Sequence, residues 1–157
     1  MVYAKTISTP VNTAIASPLR TSVKAISGVI YGFEVYFPPG SSGLMGVKVW
    51  SSDVALFPVD RAEWFIGDNT LVRFDDIREL SIADNIIDIF TYNTDTLYVH
   101  RVQVRIGVLP VDLYMERYGV GRAILQMNEA IAADITARQD DILNPDLTIV
   151  DALSAPE

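Results

Sequence analysis

The sequence predicts a mainly β fold: an antiparallel β-sandwich or jelly roll with an N-terminal arm, and a C-terminal α-helix followed by an extended tail. Three observations predict it. Short segments before Pro110 alternate apolar and polar side chains, the period of a pleated strand with one face buried. Turn-forming residues separate those segments at short intervals, with no helical pattern between them of the kind that parallel strands need. After Pro110 the apolar spacing changes from two to three and four. The organisation read from this is an arm or edge strand over 1–27, a sandwich core over 28–110, and a helix with an acidic tail over 111–157.

The opening stretch TISTPVNTAIASPLRTSVKAI is polar and β-branched and is interrupted by Pro10 and Pro18, which suits an arm or an edge strand and not a central one. In GVIYGFEVYF, Val29, Tyr31, Phe33, Val35 and Phe37 fall on one face, expected to be the core face, and Ile30, Gly32, Glu34 and Tyr36 fall on the other. GVKVW, TLVRF and NIIDIFTY are short and rich in β-branched or aromatic residues. In HRVQVRIGV, Val102, Val104, Ile106 and Val108 alternate with Arg101, Gln103, Arg105 and Gly107, so this strand is wet on one side. The connections PPGSSG, SSD, GDN and NTD are turn chemistries: Gly and Asn tolerate positive φ, and Pro fixes its own. The count comes to about seven or eight strands, as in other sandwiches.

The helix is expected from about Arg122 to Ile142, because Ile124, Met127, Ile131, Ile135 and Ile142 form one narrow stripe and Asn144-Pro145 supplies a stop. Glu129, Asp134, Arg138 and Asp140 occupy the other face. Such a stripe suits docking on its own sandwich or on copies of itself. Leu147, Ile149, Val150 and Leu153 leave apolar positions among the acids of the tail, which would fray alone.

Composition excludes several classes of function. Half of the 157 residues are hydrophobic and a fifth charged, which is unlike a disordered chain. No window approaches the ~18 apolar residues of a membrane span, and MVYAKTISTP lacks a secretory apolar stretch, so a soluble chain without a membrane partner is expected. With no cysteine there is no disulfide, thiolate metal site or cysteine nucleophile. A net charge of minus 8 repels a nucleic-acid backbone. Residues 1–111 carry 9 basic and 11 acidic side chains, net minus 2, and 112–157 carry 3 and 9, net minus 6. Two parts with different roles are expected.

Candidates for chemistry are few. His100 is the sole histidine; its parity places it inward near a strand start, as a structural residue in preference to a catalytic one. GxSxG, GxxxxGK[ST] and GxGxxG are absent, and GVGR ahead of the helix reads as a hinge or cap. Asp75-Asp76, Asp140-Asp141 and the GDN and NTD turns offer carboxylates for a cation or for acid-base work, yet adjacent acids on a strand point to opposite faces. Trp50, Trp64, Tyr92 and Tyr98 are the aromatics a sugar-stacking face would use, and core or interface burial explains them as well. The reading is of a non-enzyme without cofactor or metal.

The stretches SPLRTSVKAISGVIYGFEVYFPPGSSGLMGVKVW, EWFIGDNTLVRFDD and FTYNTDTLYVHRVQVRIGVLP, taken in order over about residues 17–110, resemble small β-sandwich structural proteins of tailed bacteriophages. The resemblance implies a non-enzymatic virion subunit, a capsid decoration or cement protein. It would be made in the host cytoplasm and placed on the capsid surface, with the major capsid protein and itself, as a homotrimer, for partners. The contacts expected are the arm residues Val11, Ile15 and Leu19 and the helix residues Ile124, Met127, Ile131 and Ile135. The alternative is a phage tail or host-recognition module that binds carbohydrate.

Overall fold

The computed structural model describes residues 1–80 and 86–143, and the side chains of all of these except 120–125 and 140–143. The chain divides into two compact units, Met1–Tyr114 and Met115–Glu157. Among the described residues, ten strands build the first unit: β1 (Val2–Thr9), β2 (Leu19–Lys24), β3 (Gly28–Phe37), β4 (Met45–Ser51), β5 (Val54–Phe57), β6 (Phe65–Ile66), β7 (Thr70–Phe74), β8 (Arg78–Leu80), β9 (Ile86–Asn93) and β10 (His100–Leu109). They form two antiparallel sheets. The first runs β1-β10-β3-β7 with β8 also on β3, and the second runs β2-β9-β4-β5 with β6 also on β4. The fold is therefore the mainly β, two-sheet architecture that the alternation predicts, followed by helices α1 (Val111–Tyr118) and α2 (Val120–Leu143).

Alternation decides what lies between the sheets. Val102, Val104, Ile106 and Val108 of the first sheet face Val47, Val49, Ile87 and Ile89 of the second in one buried cluster. At one end of it Phe33 stacks on Phe57 at 4.5 Å between ring centres, with Phe74 at 5.2 Å and Phe65 at 5.7 Å. Each such ring removes a large apolar area from water, which is the principal favourable contribution to folding.

Strict alternation fails at one place in β3. Between Gly107 and Val108 the register with β3 shifts, so that Val108 pairs with Ile30 and Gly107 with Gly32, leaving Tyr31 as the extra residue of a bulge. Ile30, expected on the outer face, is consequently in the core. Tyr31, expected in the core, lies over Gly107, where any Cβ would sit 2.6 Å from the ring's Cζ. A glycine at 107 is what admits the ring.

Residues 1–27 supply an edge strand to each sheet: β1 pairs with β10 from Val2 to Thr9, and β2 pairs with β9 from Leu19 to Lys24. Met1 and Val108 exchange two bonds at 2.7 and 2.8 Å, which fastens the first residue to the sheet. The prolines lie outside both strands, at either side of the connection between them. The strand count exceeds expectation because β6 and β8, at two and three residues, are too short to show a period.

In the second unit α2 runs slightly beyond the expected Arg122–Ile142; α1, whose residues divide between the two units at Tyr114 and Met115, is an additional helix. Gly119 of the GVGR segment closes α1: its N–H bonds to the Met115 carbonyl at 2.7 Å, and a Cβ there would collide with that oxygen. On α2, Asp134 and Arg138 pair at 3.0 Å one turn apart. The expected tail residues Leu147, Ile149, Val150 and Leu153, and the stop at Asn144-Pro145, lie outside the described residues.

On the outer face of the second sheet, Asp88 is buried beneath Arg20 (2.7 Å) and Ser22 (2.6 Å). Burial pushes its pKa up, but the hydrogen bonds from Arg20 and Ser22 and the Arg20 charge together hold it below the usual aspartate value. A carboxyl whose folded value is depressed contributes stability that is complete above its unfolded value of about 3.9 and is lost as pH falls through the folded value. Asp88→Asn is expected to lower stability at neutral pH and to flatten the decline below about pH 4. Melting temperatures of both proteins between neutral and acid pH check this; parallel profiles would show that Asp88 carries no such linkage.

Candidate interaction surface

The loop joining β9 to β10, residues 94–99, is held from inside. Asn93 is fully buried; its amide donates to the carbonyls of Thr9 (3.2 Å) and Tyr98 (2.9 Å), and its oxygen accepts from the Asp95 N–H (3.0 Å). Asp95 Oδ1 accepts from the N–H groups of Leu97 (2.8 Å) and Tyr98 (3.3 Å). Its Oδ2 lies 2.9 Å from His100 Nε2. The Leu97 hydrogen bond, with those of His100 and Tyr98, outweighs desolvation and holds the Asp95 carboxyl below the usual range.

Neighbouring loops are tied to the same hairpin. Asn12 N–H bonds to the Asp95 carbonyl (2.9 Å), Asn93 N–H to Thr13 (3.0 Å) and Thr94 N–H to Leu44 (2.9 Å). Because Asn93, Asp95 and His100 are turned to the inner side, the apolar side chains between Asp95 and His100 point outward. Leu97, Tyr98 and Val99 are 76, 66 and 57 % exposed, and Ile15 and Leu44 are exposed on the adjoining loops. Three consecutive exposed apolar residues on a hydrogen-bonded loop form a costly surface unless something covers it. This tip is the candidate functional surface.

The sequence signal that would have found it is the run LYV between the NTD turn and the alternating strand. Read alone, it looks like a strand beginning. His100 lies inward, as its parity predicts: it is buried and paired with Asp95. It borders a cavity of about 490 Å³ together with Pro38, Pro39, Ser41, Val99 and Arg101. Ser41 Oγ is already donated to the Gly67 carbonyl at 2.6 Å, and Asp68 accepts the Gly40 and Ser41 N–H groups at 2.6 and 2.9 Å.

The other named residues are dispersed. Ile15 is exposed and close in sequence to the Thr13 tie; Val11 is half-buried. Leu19, expected as an arm contact, instead pairs with Thr91 and packs on the core, because β2 is a strand of the sandwich. Met127, Ile131 and Ile135 are exposed on one face of α2. The side chains of Ile124 and of Asp140-Asp141 lie outside those described. Of the carboxylates considered as ligands, Asp68 and Asp95 are spent on backbone N–H groups, and Asp76 binds Arg78 at 2.8 Å. Among the described residues no group of three acids or histidines is placed to hold a metal ion.

The four aromatics weighed as a sugar platform do not share a plane. Trp64 meets Tyr92 edge to face at 4.9 Å, and Trp50 meets Phe90 likewise at 5.7 Å. Lys48 Nζ lies 4.2 Å from the Trp64 ring centre and 5.1 Å from that of Trp50, and the Arg61 guanidinium lies 5.2 Å from Trp50. Each of these cations lies over an indole ring, an arrangement worth about 0.5–1 kcal/mol at exposed sites. Tyr92 is buried and Tyr98 belongs to the tip. Comparison with protein-family models, with curated proteins and with solved structures finds no match to this chain.

Proposed function

We propose that this chain is a non-enzymatic structural subunit of a tailed-bacteriophage virion, a capsid decoration or cement protein that binds the major capsid lattice and itself, as a trimer. The observation that carries the reading is the tip: an internally bonded loop that holds Leu97, Tyr98 and Val99 in water. A subunit that works by contact needs a rigid body, an apolar surface formed before binding, and polar groups already satisfied within itself. The sandwich core, the tip, and the engagement of Asp68, Asp95 and His100 meet those needs in turn. The apolar face of α2 supports self-association, and the order of segments over 17–110 supports the phage assignment.

Quantitative mass spectrometry of particles purified from the source that encodes the chain tests the reading. The chain is expected at a fixed copy number commensurate with the major capsid subunit. Particles that lack it while the cell extract contains it would overturn the assignment.

A further inference from the structure

We infer that α2 is the seam through which copies of this chain join, helix beside helix in parallel. The inference rests on the self-associating part of the virion reading and adds to it the residues and geometry of the contact. Every described side chain of α2 from Gln126 to Gln139 is exposed, among them Met127, Ile131 and Ile135 at 59, 50 and 51 %. A helix so exposed gains little from propensity alone and needs a cover for its apolar face. The stripe repeats every 11 residues: Val120, Ile131 and Ile142 form one set, Ile124 and Ile135 a second, Met127 and Arg138 a third. Such a repeat advances about 3.67 residues per turn, close to the helix itself, so the stripe keeps within about 40° of one line for about 33 Å. A partner that covers it must carry an apolar stripe as long and as straight. A copy of α2 carries one with the identical repeat.

Charge sets the orientation. One flank of the stripe holds Asn128, Ala132 and Gln139, none of them ionisable, and the other holds Ala130, Asp134 and Asp141. In a parallel assembly the acidic flank of each helix meets the uncharged flank of the next, whose Asn128 and Gln139 amides are donors for Asp134. An antiparallel pair would set acidic flank against acidic flank. Glu129 and Asp140 take positions on the opposite face of the helix. Arg138, the one charge within the stripe, is engaged by its own Asp134 at 3.0 Å, one turn back. The 3 basic and 9 acidic residues of 112–157 give each copy a net charge of minus 6 there, which opposes association at long range. Salt screens that repulsion, so the contact holds or tightens as salt is added.

The experiment measures the mass of the full chain by sedimentation equilibrium at micromolar concentration, in low and in high sodium chloride. Wild type is compared with Ile131→Asp, in the stripe, and with Ala133→Asp, which puts the same carboxylate on the opposite face; circular dichroism confirms that each sandwich is folded. The expected result is an oligomer for wild type and Ala133→Asp, as stable or more stable in high salt, and association weakened about 30-fold or more in Ile131→Asp. Because the chain has no cysteine, Ile131→Cys treated with diamide is expected to link copies in pairs through one disulfide, and Ala133→Cys is not. A monomeric wild type, an Ile131→Asp oligomer of unchanged mass, equal losses in both Asp variants, or Ile131→Cys chains that stay unlinked each overturn the seam. So does wild-type association that falls steeply with salt. None of these outcomes bears on whether particles contain the chain; particles that lack it overturn the virion reading and leave the seam to be decided by mass and crosslinking.

Discussion

Phe33→Ala is expected to lower the unfolding free energy by about 3–5 kcal/mol, the range for truncating a buried aromatic. Phe33 is 1 % exposed and touches rings from three other strands: Phe57 of β5, Phe65 of β6 and Phe74 of β7. Those strands are short, and each pairs with one neighbour only, so they have few other large contacts to hold them. The loss combines the transfer free energy of the ring with a cavity that the remaining phenylalanines fill only in part. Against a total stability of about 5–15 kcal/mol for a domain, this is a large fraction. Urea denaturation followed by circular dichroism measures it; a cost below about 1 kcal/mol would mean that the ring cluster is not a keystone of the core.

Asn93→Ala is expected to cost about 2–4 kcal/mol, because one side chain satisfies several backbone groups that are left without partners when it goes. The Thr9 carbonyl and the Asp95 N–H lose their bonds, as does the Tyr98 carbonyl. Unlike Phe33→Ala, this change also acts on function. It removes the inner anchor of the tip, so Leu97, Tyr98 and Val99 become mobile and docking must then order them. Thermal unfolding together with amide exchange checks both halves. The exchange of Leu97 and Tyr98 amides is expected to accelerate in the variant more than that of the β10 amides from Val102 to Ile106. Equal acceleration would indicate general destabilisation and not a specific anchor.

The sandwich was legible in the sequence wherever one face of a strand is wet. β10 reads correctly up to Ile106 because Arg101, Gln103 and Arg105 mark the solvent side at every second position; Gly107, expected on the wet face, is buried under the Tyr31 ring. β3 reads correctly at Val29 and from Gly32 onward, and wrongly at Ile30 and Tyr31, since a bulge is set by the partner strand: Gly107, more than seventy residues away, makes room for the Tyr31 ring. The two N-terminal edge strands were legible as a pair of possibilities. The prolines that forbid a central position permit both an arm and an edge, and only the pairing with β9 and β10 decides between them. The same pairing sets Leu19 at the start of β2, partly buried against the core.

The tip was not legible, although its parts were. NTD was recognised as a turn and His100 as an inward structural residue, and these are the elements that build the lock. Their consequence depends on Thr9 at the end of β1 and on Thr13 and Leu44 from separate loops, which no local pattern brings together. Exposure of an apolar run is a tertiary property. The sequence shows that LYV exists, and the hydrogen bonds of Asn93 and Asp95 determine which way it points.

The central claim, that this protein works by presenting a prebuilt apolar tip to another subunit, is tested most directly by photo-crosslinking within intact particles. A benzophenone amino acid is placed at position 98 of the full chain, and in a control at Lys24, which is exposed where β2 pairs with the opposite end of β9. The account predicts one dominant crosslink from position 98 to a major structural protein of the particle and little from position 24. Crosslinking confined to position 24, or none from either position in particles that contain the chain, would contradict it.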